Sequence, residues 1–165
     1  MEKENGKSLL NKFIHTPWSY NKFDRAIFAV RLMVGCVFLS EGIQKFLFAE
    51  SLGVGRFIKI GIPAPEIMAP FVGVVEIVCG ALVLLGLITR LAAIPLIIDM
   101  LVAISTTKIP ILLEKGFWAM AHEARVDWSM ILGSIFLLIV GGGSWSLDRL
   151  IEKHCDNRNQ EINKT

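Results

Sequence analysis

Four apolar stretches, at about 26–48, 67–88, 91–107 and 128–144, run through the 165-residue chain. A helix needs roughly 20 apolar residues to cross a hydrocarbon core about 30 Å thick, so the first two meet that length and the last two fall slightly short of it. The composition points the same way. Residues of the AVILMFWYC set make up 53% and charged residues only 19%, against the ~25% charged residues of an ordinary soluble domain. The expected fold is therefore an all-α integral membrane protein, a bundle of four transmembrane helices with the lipid bilayer as its solvent. Its expected divisions are an N-terminal segment, 1–25, a membrane domain, 26–146, and a C-terminal tail, 147–165.

Only Thr89 and Arg90 separate the second and third stretches, which requires an antiparallel hairpin. Trp128 and Trp145 bracket the fourth as interface anchors. Ten Lys and Arg residues fall on the side of the termini and five on the other, with Arg31 and Lys45 inside the first stretch. The positive-inside rule then places both termini in the cytoplasm. The connection at 49–66 contains LGVGRFIKIGIPAP, whose glycines and prolines favour turns over continuous helix. The connection at 108–127 contains FWAMAHEARVD and is expected to extend the fourth helix. Residues 1–23 lack the ~7–15-residue apolar core of a cleavable signal peptide, so the first helix is expected to be retained. A net charge of +2, with no basic cluster, gives no footprint for nucleic acid.

Five ionisable residues fall inside these stretches: Arg31, Glu41, Lys45, Glu76 and Asp99. Each costs about 2.5–3.5 kcal/mol at the bilayer centre on insertion scales, so such residues pair, line a cavity or reach for the interface. Arg31 and Lys45 lie near helix ends and can snorkel. Glu41 precedes Lys45 by one helical turn, in the favourable order for an acid and a base. Glu76 is deep in the second stretch, on a face shared with Ala69, Gly73 and Gly80, small residues that let another helix approach. Asp99 shares a face with Ala92, Pro95, Ala103 and Thr106. The expected interior has Glu76 accepting hydrogen bonds from Arg31 or Lys45, with Glu41 and Asp99 completing it. Two readings follow. These groups lock helix register as buried ion pairs, or they form a functional site.

Other candidates are weaker. His122 and Glu123 are adjacent and diverge by about 100° on a helix, so with Asp127 they make a poor metal site and read as a solvated collar balanced by Arg125. No metal is expected. Cys36 and Cys79 are at comparable depth and read as packing residues. No Gly-rich phosphate loop or nucleophile elbow is present.

RLMVGCVFLSEGIQKF in the first stretch, EIVCGALVLLGLITRLAAIP across the second and third, and GGGSWSLDRL after the fourth together resemble the DoxX family of small four-helix bacterial membrane proteins. Arg31, Gly35, Phe38, Gly42 and Lys45 match its first-helix pattern. Glu76, Gly80, Gly86, Thr89 and Arg90 match the second, and Ser146, Leu147 and Asp148 the ending. The resemblance implies a multi-pass protein of the bacterial inner membrane, linked by analogy to quinone-dependent oxidoreductase subunits and redox or stress-response complexes. In that role Glu76, helped by Glu41, exchanges protons with a quinone headgroup and Arg31 or Lys45 polarises its oxygen. No haem-ligand pair, iron–sulfur cysteine set or flavin motif is legible, so the expectation is no intrinsic cofactor and electrons from a redox partner protein. The alternatives are a non-enzymatic scaffold subunit and a small-solute transporter, the latter requiring a homo-oligomer.

Overall fold

The computed structural model describes residues 20–151, and these are helical apart from short connections. Helix α1 (Tyr20–Leu47) is followed by the short α2 (Val54–Lys59) and by α3 (Pro65–Leu85). Helix α4 (Thr89–Ala103) continues through a π turn (Ile104–Lys108) into α5 (Ile109–Lys115), and α6 (Phe117–Glu123) leads into α7 (Arg125–Val140). Three helices among the described residues are long and apolar enough to cross a membrane: Phe23–Leu47, Pro65–Leu85 and Thr89–Lys115, with mean hydropathies of 1.8, 2.4 and 1.9. Helix α7 has 16 residues, about 24 Å at the α-helical rise, and falls short of a full crossing.

The boundaries differ from expectation for local reasons. The turn between α3 and α4 is Gly86–Ile88 rather than Thr89–Arg90: Gly86 adopts φ 68°, the left-handed conformation that ends α3, and Thr89 already begins α4. The third helix runs on to Lys115 because the π turn absorbs the polar STTK segment instead of ending the helix there. The 108–127 connection therefore extends both helices: Ile109–Lys115 continues the third, and FWAMAHEARVD lengthens the fourth as expected, Phe117–Glu123 leading through Ala124 into a helix that begins at Arg125. In the 49–66 connection, VGRFIK forms α2 despite its neighbouring glycines.

Helix α1 packs chiefly on α3, and α4 on α7. The α1–α3 contact is close because glycines face backbone. A Cβ on Gly42 would sit 2.7 Å from the Gly73 carbonyl oxygen, and one on Gly80 would sit 2.9 Å from the Leu39 amide nitrogen. This is small-residue packing, the mode that draws helices together where lipid removes the hydrophobic drive between them. Above and below it lies a dry layer in which Val34, Val83, Leu96 and Leu137 are wholly buried.

The two ends of the bundle are built differently. At the end carrying the first and last described residues, Arg31 is buried and spends its guanidinium on four carbonyls. Its Nε donates to Val83 O at 2.9 Å, Nη2 to Leu84 O at 2.6 Å, and Nη1 to Gly142 O and Trp145 O at 3.0 and 2.7 Å. Those acceptors include the unsatisfied carbonyls that any helix C-terminus leaves. Asp148 completes the clamp: its Oδ1 accepts from Ile88 N at 2.9 Å and its own amide donates to Gly86 O at 3.1 Å. Asp24 Oδ1 accepts from Ser144 N at 3.0 Å, tying α1 to the segment after α7. Gly86 is confined by more than its φ, since a Cβ there would meet Ser146 Cβ at 2.7 Å and the Arg31 guanidinium closer still.

Candidate functional site

The opposite end holds a cavity of about 340 Å³ between α1, α3, α4 and α7, roofed by α2. Its polar floor contains three of the residues singled out from sequence. Lys45, in the last turn of α1, donates from Nζ to Glu76 Oε2 at 2.5 Å, and Glu76 is 2% exposed. Asp99 lies beside Glu76, the two carboxyl groups within hydrogen-bonding reach of each other, and its buried Oδ2 is one of three buried side-chain oxygens, with Thr89 Oγ1 and Ser134 Oγ, that have no other hydrogen-bond partner among the described residues. Glu41, one turn before Lys45 on α1, also lines the cavity and is exposed at its edge. The structure thus brings Glu41, Lys45, Glu76 and Asp99 together.

Arg31 does not join them. It precedes Lys45 by fourteen residues on one continuous helix, roughly 21 Å along the axis, beyond the reach of any side chain. The expected choice of partner for Glu76 resolves to Lys45, and Arg31 is a structural clamp at the far end.

Four further charged groups line the cavity: Arg56, Lys108, Glu123 and Asp127. Lys108 is buried and pairs with Asp127 at 3.2 Å between Nζ and Oδ2. Arg56 reaches the cavity from α2. On a regular α-helix nine residues separate Asp99 and Lys108 by about 180°, placing them on opposite faces. The π turn takes up one extra residue and rotates Lys108 back by about 100°, towards the Asp99 face. The legible signal was the polar Thr106, Thr107 and Lys108 run at the end of an apolar helix. Asp127 is engaged by Lys108 instead of forming a collar with Arg125. Arg125 bonds the carbonyl of His122 at 2.8 Å. Among the described residues no cluster of three or more His, Cys, Asp and Glu is arranged to hold a metal. Cys36 is exposed on α1 while Cys79 is buried, and neither is bonded to a second cysteine.

The walls are mostly apolar, with Val37, Phe38, Val72, Met100 and Met130 among them. These apolar walls enclose a chamber that eight ionisable side chains also line, and its volume falls at the lower end of the ~300–1,000 Å³ typical of small-molecule sites.

The model of the DoxX family matches residues 26–109. The chain is 58% identical over 136 residues to the uncharacterized membrane protein Rv3486 of Mycobacterium tuberculosis, an alignment covering 79% of this chain and 83% of that one. It is 29% identical over 137 residues to the "Putative oxidoreductase CatD" of Bacillus subtilis, covering 83% of this chain and 95% of that one. No solved structure matches it significantly. The chain belongs to the DoxX family and is a helical membrane protein.

The Lys45–Glu76 pair has a measurable signature. In bilayer-reconstituted protein, Lys45→Met leaves Glu76 buried without its counter-charge, and Glu76→Gln leaves Lys45 in the same position. Each single change is expected to lower thermal stability by about 1–3 kcal/mol, a range spanning membrane hydrogen bonds and the lower end of buried-pair losses in soluble proteins. The double variant is expected to regain at least about half of the summed loss, a coupling read directly from the cycle. Strictly additive losses would show that the two groups do not interact.

Proposed function

We propose that this protein is the membrane subunit of a quinone-linked oxidoreductase or redox and stress-response complex, crossing the inner membrane four times with both termini in the cytoplasm. The observation that carries the reading is the juxtaposition, in one cavity, of the Lys45–Glu76 pair with the buried carboxyl group of Asp99. The name of CatD supports the redox half of the proposal.

The residues present suit a quinone headgroup. A planar ring with two carbonyl oxygens needs apolar walls, a donor for oxygen and a group that exchanges protons, and the cavity supplies Phe38 and Met100 as wall, Lys45 as donor, and Glu76, Asp99 and Glu41 as carboxyls. A bound quinone supplies two-electron chemistry coupled to two protons, with electrons delivered by a partner protein. Lys45 Nζ, which pairs with Glu76, would hold an oxygen of the ring. Glu76 holds or accepts a proton at Oε2, and Glu41, exposed at the cavity edge, passes it to or from the surroundings. Apolar side chains around the floor exclude water, which strengthens each of these electrostatic contacts. General acid–base transfer of this kind contributes about 10²–10⁴-fold when the groups are within hydrogen-bond reach.

A scaffold role is the second reading, favoured by one observation: at the other end of the bundle, Arg31 is used wholly for holding backbone. If Lys45 and Glu76 do the same, the protein organises other subunits without touching a substrate.

Titrating a quinone analogue against purified protein in lipid separates the two. The wild type is expected to bind saturably and Glu76→Gln to bind at least about tenfold more weakly, a loss of ~1.4 kcal/mol. Absence of binding by the wild type would remove the redox reading.

Topology is open to a separate check. Reporter fusions at Glu50, Arg90, Lys115 and the C-terminus are expected to read outside, inside, outside, inside. Because α7, at 16 residues, is not among the three helices long enough to cross, a C-terminus found outside would show that it does not span.

A further inference from the structure

The walls of the cavity are not continuous, and where they part bears on what can reach the floor. Helices α3 and α4 are joined by the short Gly86–Ile88 turn and pack tightly beside it, where Val83, Ala93 and Leu96 are wholly buried. Towards the cavity, Met68 on α3 and Val102 on α4 each line the chamber and are also exposed, at 36% and 46%. Two residues on neighbouring helices that face both the chamber and the exterior border an opening between them. Val72 and Met100 continue it inward as apolar surface. Val102 is one turn from Asp99 on the same helix, about 4.5 Å along the axis, so the opening begins beside the polar floor. Its surroundings are membrane-facing, since Ile98 and Leu101 on the same spanning helix are more than half exposed.

A second gap lies between α1 and α7. Those helices meet at Gly133, where a Cβ would press on Val34, and farther along Glu41 and Val126 are both exposed and cavity-lining. Its edge carries the Glu41 carboxyl, with Glu123 on the same side of the chamber. A carboxylate edge is costly beside an apolar chain and well suited to water and protons.

We infer that the α3–α4 opening between Met68 and Val102 is a lateral portal through which the apolar chain of a lipid-soluble ligand leaves the cavity, its polar head resting against Lys45 beside Glu76 and Asp99. The inference rests on the quinone reading and narrows it: the substrate is a long-chain quinone held by head and chain, not a water-soluble one. Methionine at the sill suits this use, because its unbranched, polarizable side chain adapts to a flexible partner.

The test plugs the portal. Wild type, Val102→Trp and Ile98→Trp are reconstituted in lipid and titrated with two quinones of identical headgroup, one carrying a long isoprenoid chain and one carrying none. Ile98 faces outward one turn away and controls for the added bulk. Val102→Trp is expected to weaken the long-chain quinone by about tenfold or more and the tail-less one by less than about threefold, with Ile98→Trp near wild type for both. If Val102→Trp does not fold, Val102→Cys modified with a bulky thiol reagent after reconstitution, in a background lacking Cys36, Cys79 and Cys155, makes the same comparison. Unchanged long-chain affinity in the plugged protein overturns the portal, as does a loss produced only by Val126→Trp at the other gap. A wild type that binds only the tail-less quinone overturns the narrowing but keeps the quinone reading. A wild type that binds neither overturns both.

Discussion

A charge placed in hydrocarbon must be neutralised within reach of its own side chain, and in this protein the Lys45–Glu76 contact answers that requirement. Its geometry depends on the glycines of α1 and α3. Gly42 and Gly73 bring the two backbones together where a Cβ would collide, and that approach lets a lysine in the last turn of α1 reach a carboxylate in the middle of α3. The cavity forms just beyond this contact, where α2 folds over the end of α1 and the π turn swings Lys108 inward. Helix packing, charge neutralisation and chamber therefore share one set of residues.

The polar residues of the bundle divide between two tasks. At the terminal end, Arg31, Asp148 and Asp24 are consumed by backbone groups, satisfying carbonyls and amides that helix ends and turns leave open. Arg31 and Gly86 lie within the residues matched to the DoxX family, and in this chain, with Ser146 and Asp148, they hold the fold. At the other end the polar groups surround space: Lys45 pairs with Glu76, and Glu41 and Asp99 line the same cavity. Buried side-chain oxygens without a hydrogen-bond partner among the described residues occur in both parts of the bundle, at Asp99, Thr89 and Ser134.

The sequence made the helical membrane fold legible because the apolar stretches needed only length to be read. Glu76 was legible because its small-residue face excluded a lipid-facing position, and Lys45 because it was one of two bases inside the first stretch able to partner it. Arg31 was misplaced for want of depth: one sequence cannot say how far along its partner each helix has slid, and in the fold Arg31 meets Val83 and Leu84, about 10–12 Å along α3 from Glu76. Lys108 was hidden by the π turn, a local insertion that helical periodicity cannot reveal because periodicity assumes its absence. Asp127 was hidden with it, since its role depends on Lys108. The ends of α7 shifted because Gly141–Gly143 stop the helix before the apolar pattern ends, with Gly141 and Gly143 at φ 86° and 72°.

The central claim is that the Lys45–Glu76 pair serves both the bundle and a ligand, and exchanging the two charges tests it directly. Lys45→Glu combined with Glu76→Lys preserves the ion pair but reverses the groups offered to the cavity. In lipid, the account predicts thermal stability close to wild type together with at least about tenfold weaker binding of a quinone analogue. An exchanged protein that recovers stability and quinone affinity alike would contradict it, leaving the pair as a packing device and the protein as a scaffold.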